Sequence, residues 1–149
     1  MTSRYGLEIR AATATEAPGL ADLLATAGFA IDAHDLAERL VALRQASATA
    51  LMALQWGPPS GLVVMHWYPT LEAARPRAQI STLLVNADER RRGIGRLLLK
   101  AAAQAARVAG CGELEIITRS DTPALCEFCR ATGFAEAGSR FIRSLRKQG

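Results

Sequence analysis

Apolar and polar positions along this chain change period several times, and each change marks an element. Residues Leu7–Arg10 alternate as a short strand. Thr13-Ala14-Thr15-Glu16 has the Thr-x-x-Glu spacing of a capping box and opens a helix expected to end near Gly28. Asp32-Ala33-His34-Asp35 offers a cap to a second helix, in which Leu36, Leu40 and Leu43 recur at helical spacing up to about Ala46. Ala50–Gln55 and Leu62–Tyr68 predict two strands. The cluster Gly57-Pro58-Pro59-Ser60-Gly61 between them predicts the turn of a hairpin.

A loop over Glu72–Arg77 leads to a strand at Gln79–Val85, and beyond a glycine-containing turn the period changes to that of a helix reaching about Ala109. Ile94, Leu97, Leu98, Ala101, Ala105 and Val108 form its expected apolar face, with Arg96, Lys100, Gln104 and Arg107 opposite. Gly110 and Gly112 stop that helix. Glu113–Thr118 predicts a strand, Thr122-Pro123 the cap and first-turn proline of a last helix reaching Thr132, and Phe141–Leu145 a closing strand. With no repeat, linker or low-complexity stretch beyond the alanine-rich helices, residues 1–149 are expected to form a single domain.

The junction between the Ile80–Val85 run and the long amphipathic helix carries the chemistry. It reads Arg90-Arg91-Arg92-Gly93-Ile94-Gly95-Arg96. Glycines let the backbone approach a ligand and adopt torsions closed to other residues, and amides opening a helix attract anions. A phosphate loop for ATP would need Gly-Lys-Ser/Thr, whereas Gly95 is followed by Arg96 and Leu97. A dinucleotide fingerprint would need a third Gly or Ala where Leu98 stands. The pattern that fits is Arg/Gln-x-x-Gly-x-Gly/Ala, the pyrophosphate loop for coenzyme A.

Here the chain resembles the GCN5-related N-acetyltransferase (GNAT) superfamily. The resemblance extends to Leu83-Leu84-Val85 before the loop and to Phe128-Cys129-Arg130-Ala131-Thr132-Gly133-Phe134, which parallels a Phe-Tyr-x-x-x-Gly-Phe pattern. It implies an α/β fold with a central mixed, mostly antiparallel sheet, helices on both faces, and strands splayed at an acetyl-CoA cleft. It implies acetyl transfer to a primary amine by direct attack on the thioester, with acetyl-CoA as co-substrate. On that resemblance the cofactor contacts are Leu83, Leu84, Val85, Arg90, Arg91, Arg92, Gly93, Ile94, Gly95, Arg96, Thr122, Phe128 and Cys129. Backbone N–H groups of 83–85 would meet the developing oxyanion. Thr122 stands where many relatives carry an asparagine, and also suits a helix N-cap. The chain departs from the pattern twice. Cys129 replaces the tyrosine that often protonates the departing thiolate, and Ile80-Ser81-Thr82-Leu83 lacks the glutamate that often serves as base.

Cys129 is therefore a candidate acid, with packing or cofactor contact as its plain alternative. Candidate bases are His66, whose imidazole type titrates near neutrality, and Glu115, acting through water. Each also suits an ordinary strand position. For the acceptor, Asp35 and Glu38 lie one helical turn apart, and Trp67 and Tyr68 add aromatic faces that favour a cation. The rival reading for Asp32 and Asp35 is a cap and a first-turn acid. Two departures from the catalytic pattern keep a second function in view, a non-catalytic acyl-CoA-binding or sensing domain.

Composition narrows the partners. The net charge is +4 with a pI near 9.4, which suits an anionic co-substrate. Nucleic acid is not expected, because the 4 Phe, 2 Trp and 2 Tyr are not interleaved with the arginines as a stacking platform requires. No apolar run spans a membrane and the start has no signal-peptide core, so a cytoplasmic location is expected. Three cysteines fit a reducing compartment. Cys126-x-x-Cys129 invites zinc, but Cys111, His34 and His66 are not spaced as further ligands, and no metal is expected. Relatives are often dimers, so the resemblance leaves a homodimer open.

Overall fold

A computed structural model describes residues 6–89, 93–117 and 123–146. The backbone divides into two compact units, 1–117 and 118–149. The first holds a five-stranded sheet in the order β1 (Glu8–Ala11), β2 (Ala48–Leu54), β3 (Gly61–Tyr68), β4 (Arg77–Val85) and β5 (Glu113–Ile116). Its first three pairings are antiparallel and β4–β5 is parallel. This is the mixed, mostly antiparallel sheet that was expected.

Local chemistry explains the helix starts. The Thr13 amide donates to Glu16 Oε1 at 2.9 Å and the Thr13 hydroxyl donates to the same oxygen at 2.7 Å. A 3-10 turn over Ala14–Glu16 then runs into α1 (Ala17–Thr26), with Pro18 in its first turn where a missing N–H costs nothing. Asp32 caps α2 (Ala33–Arg44), its carboxylate accepting from the His34 and Asp35 amides. Such a cap stabilises a helix by about 1 kcal/mol.

Strand alternation separates two faces. Leu62 and Val64 of β3 join Ala50 and Met52 of β2 in one cluster with Leu20, Leu23 and Leu24 of α1 and Leu36 and Leu40 of α2. Val63 and Met65, also buried, point the other way. On that side lies α3 (Ile94–Val108), which packs on β3. A Cβ placed on Gly61 would come within 2.8 Å of Leu98 Cδ1 and 3.0 Å of Ile94 Cγ2, so glycine there is what lets α3 seat on the hairpin.

The buried face of α3 differs from the expected one. Ile94, Leu98 and Ala101 are buried as expected, but Leu99, Ala102 and Ala106 complete the face. Leu97 and Ala105 are half-buried, and Val108, the last helical residue, is 79% exposed. The apolar arc is wider than one strict stripe, and packing selects a row rotated from the one that spacing alone suggests.

The unit 118–149 contains α4 (Pro123–Ala131), and Gly133 ends it at a φ of 98°. The Phe134 amide donates to the Cys129 carbonyl at 2.9 Å and the Gly133 amide to the Arg130 carbonyl at 3.3 Å, the bonding of a left-handed helix stop. The strand expected at Phe141–Leu145 does not form. A strand needs a neighbour to take its backbone groups, and this unit holds no other strand among its described residues.

Candidate functional site

The parallel register of β4 with β5 runs from Arg77↔Glu113 to Ile80↔Ile116 and ends there. On its other side β4 stays paired with β3 through Leu83↔Val63, Leu84↔Leu62 and Val85↔Gly61. Among the described residues, 81–85 of β4 have no β5 partner, and because N–H groups of a strand alternate in direction, part of the 81–85 backbone faces away from β3. Leu83, Leu84 and Val85 lie beyond the last described pair of β4 with β5, in the stretch leading to the loop.

After Val85 the Asn86 amide donates to the Ser60 carbonyl at 2.8 Å, and Asn86 Oδ1 accepts from the Asp88 amide at 3.0 Å, opening a 3-10 turn over Ala87–Glu89. Arg90, Arg91, Arg92 and Thr122 lie outside the described residues. Gly93 caps α3 at φ 79°, ψ 11°, in the left-handed region, and its carbonyl accepts from the Leu97 amide at 3.1 Å. The torsion freedom expected of this glycine is thus used. Gly95 is the second residue of α3. The amides of Ile94, Gly95 and Arg96 precede any acceptor within the helix and sit at its positive end, the arrangement that receives a phosphate. Ile94 is buried against the sheet and Arg96 is exposed, so the two do not play the same part: Ile94 anchors the turn, while Arg96 offers charge beside it.

The two candidate bases lie on one face of the sheet, in one row. His66 is opposite Gln79, and Gln79 is opposite Glu115. Gln79 Nε2 donates to Glu115 Oε1 at 2.7 Å, and the Tyr68 hydroxyl donates to the same oxygen at 3.4 Å. His66 Nε2 instead lies 3.0 Å from Ser81 Oγ. Arg77 donates to Glu113 at 3.2 Å, and that bond, with the attraction of the carboxylate, holds the guanidinium above its already high value. Sequence reasoning passed over Gln79 and Ser81, whose placement depends on the strand register.

The acceptor candidates divide. Tyr68 shares the His66 face, while Trp67, its neighbour on the strand, points to the opposite one, so the two do not form one aromatic wall. The Asp35 amide is bound by the Asp32 cap, and Glu38 Oε1 pairs with His34 Nε2 at 2.9 Å, one turn away, with both side chains exposed. Cys129 is buried in α4, with Phe128 half-buried beside it. Burial pushes the Cys129 thiol up, as does the neighbouring Cys126, with Arg130 opposing them. Among the described residues, no group of three His, Cys, Asp or Glu could hold a metal ion, and no helix is long and apolar enough to cross a membrane.

Comparisons bear directly on this geometry. No curated protein matches the chain. An acetyltransferase of Trypanosoma brucei is similar in structure, with a TM-score of 0.80 at 18% identity over 93% of this chain and 99% of that one. An aminoglycoside acetyltransferase from an uncultured soil metagenomic sample, solved with sisomicin, has a TM-score of 0.79 at 22% identity over 95% and 97%. An aminoglycoside N-acetyltransferase solved with CoA has a TM-score of 0.83 at 18% identity over 99% and 98%. At such identities the likeness speaks for the fold. The sequence model of the Acetyltransferase (GNAT) family matches residues 18–134, from α1 through the glycine-capped turn to the stop of α4, and the chain belongs to that family.

Proposed function

We propose that the chain is an acetyl-CoA-dependent N-acetyltransferase that passes acetyl to a primary amine of a small molecule by direct attack on the thioester. The observation that carries this reading is the left-handed Gly93 cap of α3, at the end of a β4 whose described pairing with β5 stops at Ile80. A strand edge that can donate to a carbonyl thereby borders helix amides that can bind phosphate. In this reading the α3 amides with Arg90, Arg91, Arg92 and Arg96 hold the pyrophosphate. The backbone of Leu83, Leu84 and Val85 meets the pantetheine arm and the oxyanion, and Thr122, Phe128 and Cys129 are proposed as cofactor contacts on the family resemblance.

His66 is the preferred base. Glu115 Oε1 already accepts from Gln79 and Tyr68, whereas His66 reaches toward an exposed hydroxyl just past Ile80, the last described β4 residue paired with β5. Cys129 is proposed as the acid for the leaving thiolate, its raised thiol keeping a proton at neutral pH. No metal is required by this chemistry. The similar fold of an enzyme solved with sisomicin supports a small, amine-rich acceptor over a macromolecular one. Function as one domain over 1–149 and in the cytoplasm belong to the same proposal.

Release of free CoA thiol tests this, measured with acetyl-CoA and a panel of spermidine, tyramine, lysine, sisomicin and a tripeptide with a free N-terminus. Amine-dependent release is expected for at least one small amine. Tight acetyl-CoA binding in calorimetry with release that ignores every amine would favour the non-catalytic sensing reading instead.

A further inference from the structure

β3 and β4 pair as Met65↔Ile80 and then as Val64↔Thr82, so Ser81 is an extra residue on β4 without a counterpart. Such a bulge re-aims a side chain. Here it brings Ser81 Oγ to 3.0 Å from His66 Nε2, on the sheet face that His66 shares with Gln79. The bulge directly follows Ile80, the last β4 residue paired with β5. Ser81 is exposed and His66 half-buried. A molecule arriving at this face meets the hydroxyl first, and the ring nitrogen that would take a proton is the one turned to that hydroxyl.

We propose that the Ser81 hydroxyl relays the acceptor's proton to His66, an inference that rests on the transferase reading with His66 as base. An N–H bond of the acceptor ammonium breaks and its proton joins Ser81 Oγ. The proton previously on Oγ passes to His66 Nε2. The amine gains the lone pair that attacks the thioester carbonyl, the imidazole becomes imidazolium, and the hydroxyl is regenerated. One positive charge moves from amine to ring, with no further reactant. The charged and titratable neighbours on this face are Tyr68 of β3, Arg77 of β4, and Glu113 and Glu115 of β5; Ala48, opposite His66 on β2, adds none. Arg77 with Glu113 and Tyr68 with Glu115 engage one another, leaving the His66 ring to Ser81.

The test compares Ser81→Ala, Ser81→Thr, His66→Gln and the double variant Ser81→Ala/His66→Gln, using acetyl-CoA and the panel amine of highest turnover. General-base steps contribute about 10²-fold or more, so Ser81→Ala should lower kcat by about that factor with the KM for acetyl-CoA unchanged. Ser81→Thr, which keeps a hydroxyl and suits a strand, should restore most of it. Because hydroxyl and ring act as one unit, the double variant should be no slower than His66→Gln alone. Wild-type kcat in Ser81→Ala, or losses that multiply in the double variant, would overturn the relay while leaving His66 as base. Wild-type turnover in His66→Gln would remove base and relay together, and an absence of turnover with every amine would remove the transferase reading from which both follow.

Discussion

Gln79 donates to Glu115 at 2.7 Å across the parallel β4–β5 pair, four residues of register in which the sheet holds its last strand. The bond runs between half-buried side chains, where such a hydrogen bond is worth about 0.5–1.5 kcal/mol net, and without it Glu115 Oε1 still accepts from the Tyr68 hydroxyl. Gln79→Ala should therefore destabilise the protein by about that amount in urea unfolding, while Glu115→Gln, which keeps an accepting oxygen, should cost less. Turnover separates the base candidates in the same pair of variants: Glu115→Gln should retain kcat within about threefold, because a carboxylate engaged by Gln79 and Tyr68 is poorly placed to take a proton.

Gly93 poses a torsional requirement rather than a spatial one. A Cβ there would meet nothing within 4 Å, but φ is 79°. A left-handed conformation costs a residue with a Cβ roughly 1–2 kcal/mol, and more for a β-branched one. Gly93→Val should thus shift the opening of α3 and weaken acetyl-CoA binding by at least tenfold in calorimetry, and Gly93→Asn should be tolerated better because asparagine visits this region. Equal affinity in folded Gly93→Val would separate the loop from donor binding.

Much of this fold is legible in the chain itself, because its elements differ in period. The capping box at Thr13–Glu16, the Asp32 cap and the proline-glycine turn before Gly61 are local signals with local causes. The buried face of α3 was only partly visible, since Leu97 and Leu99 are equally apolar and only the neighbour decides which is covered. Phe141–Leu145 has the composition of a strand, but pairing depends on a partner that composition does not specify. At the site, the glycine turn was legible because torsion restricts residue type. The Ser81 bulge was not, since one added residue shifts register without any mark in the alternation of β4.

Gly61 predicts a packing effect that reaches the donor site. Leu98 Cδ1 and Ile94 Cγ2 crowd the position a Cβ would take, and both belong to the first turns of α3. Overpacking of this kind costs about 1–3 kcal/mol. Gly61→Val should lower the melting temperature and, by displacing the amides next to Gly93, weaken acetyl-CoA binding; Gly61→Val with Leu98→Ala should recover part of both. No recovery in the double variant would place the damage elsewhere.

Acid should loosen the start of α1. Burial pushes the Glu16 carboxyl up, but the Thr13 hydroxyl and amide and the charge of Arg10 outweigh it, and the group titrates below its ordinary value. A carboxyl lowered in the folded state stabilises at pH above its unfolded value of about 4.3, and that contribution is lost as pH falls through the lower folded value. Urea midpoints between pH 7 and pH 3 should fall more in wild type than in Glu16→Gln, which lacks the titrating group. Parallel curves would mean that the carboxylate form gives the cap nothing.

The acid proposed for the leaving thiolate predicts behaviour at the opposite end of the scale. Burial, then Cys126, raises the Cys129 thiol, with Arg130 acting against them, so its proton is retained above the ordinary thiol range near 8.5. If that proton goes to CoA thiolate, kcat should decline as pH rises through the raised value, because the donor is then ionised. Cys129→Ala should be slower at neutral pH, with unchanged acetyl-CoA affinity, and should show no such alkaline decline. Cys129→Tyr should restore part of the rate, since a phenol carries its proton to about pH 10. The same raised value makes the thiolate scarce at pH 7, so alkylation of Cys129 by iodoacetamide should be slow in the folded protein and rapid in urea. Equal turnover and equal pH profiles in wild type and Cys129→Ala would assign the proton to water and leave Cys129 as the buried packing residue of α4.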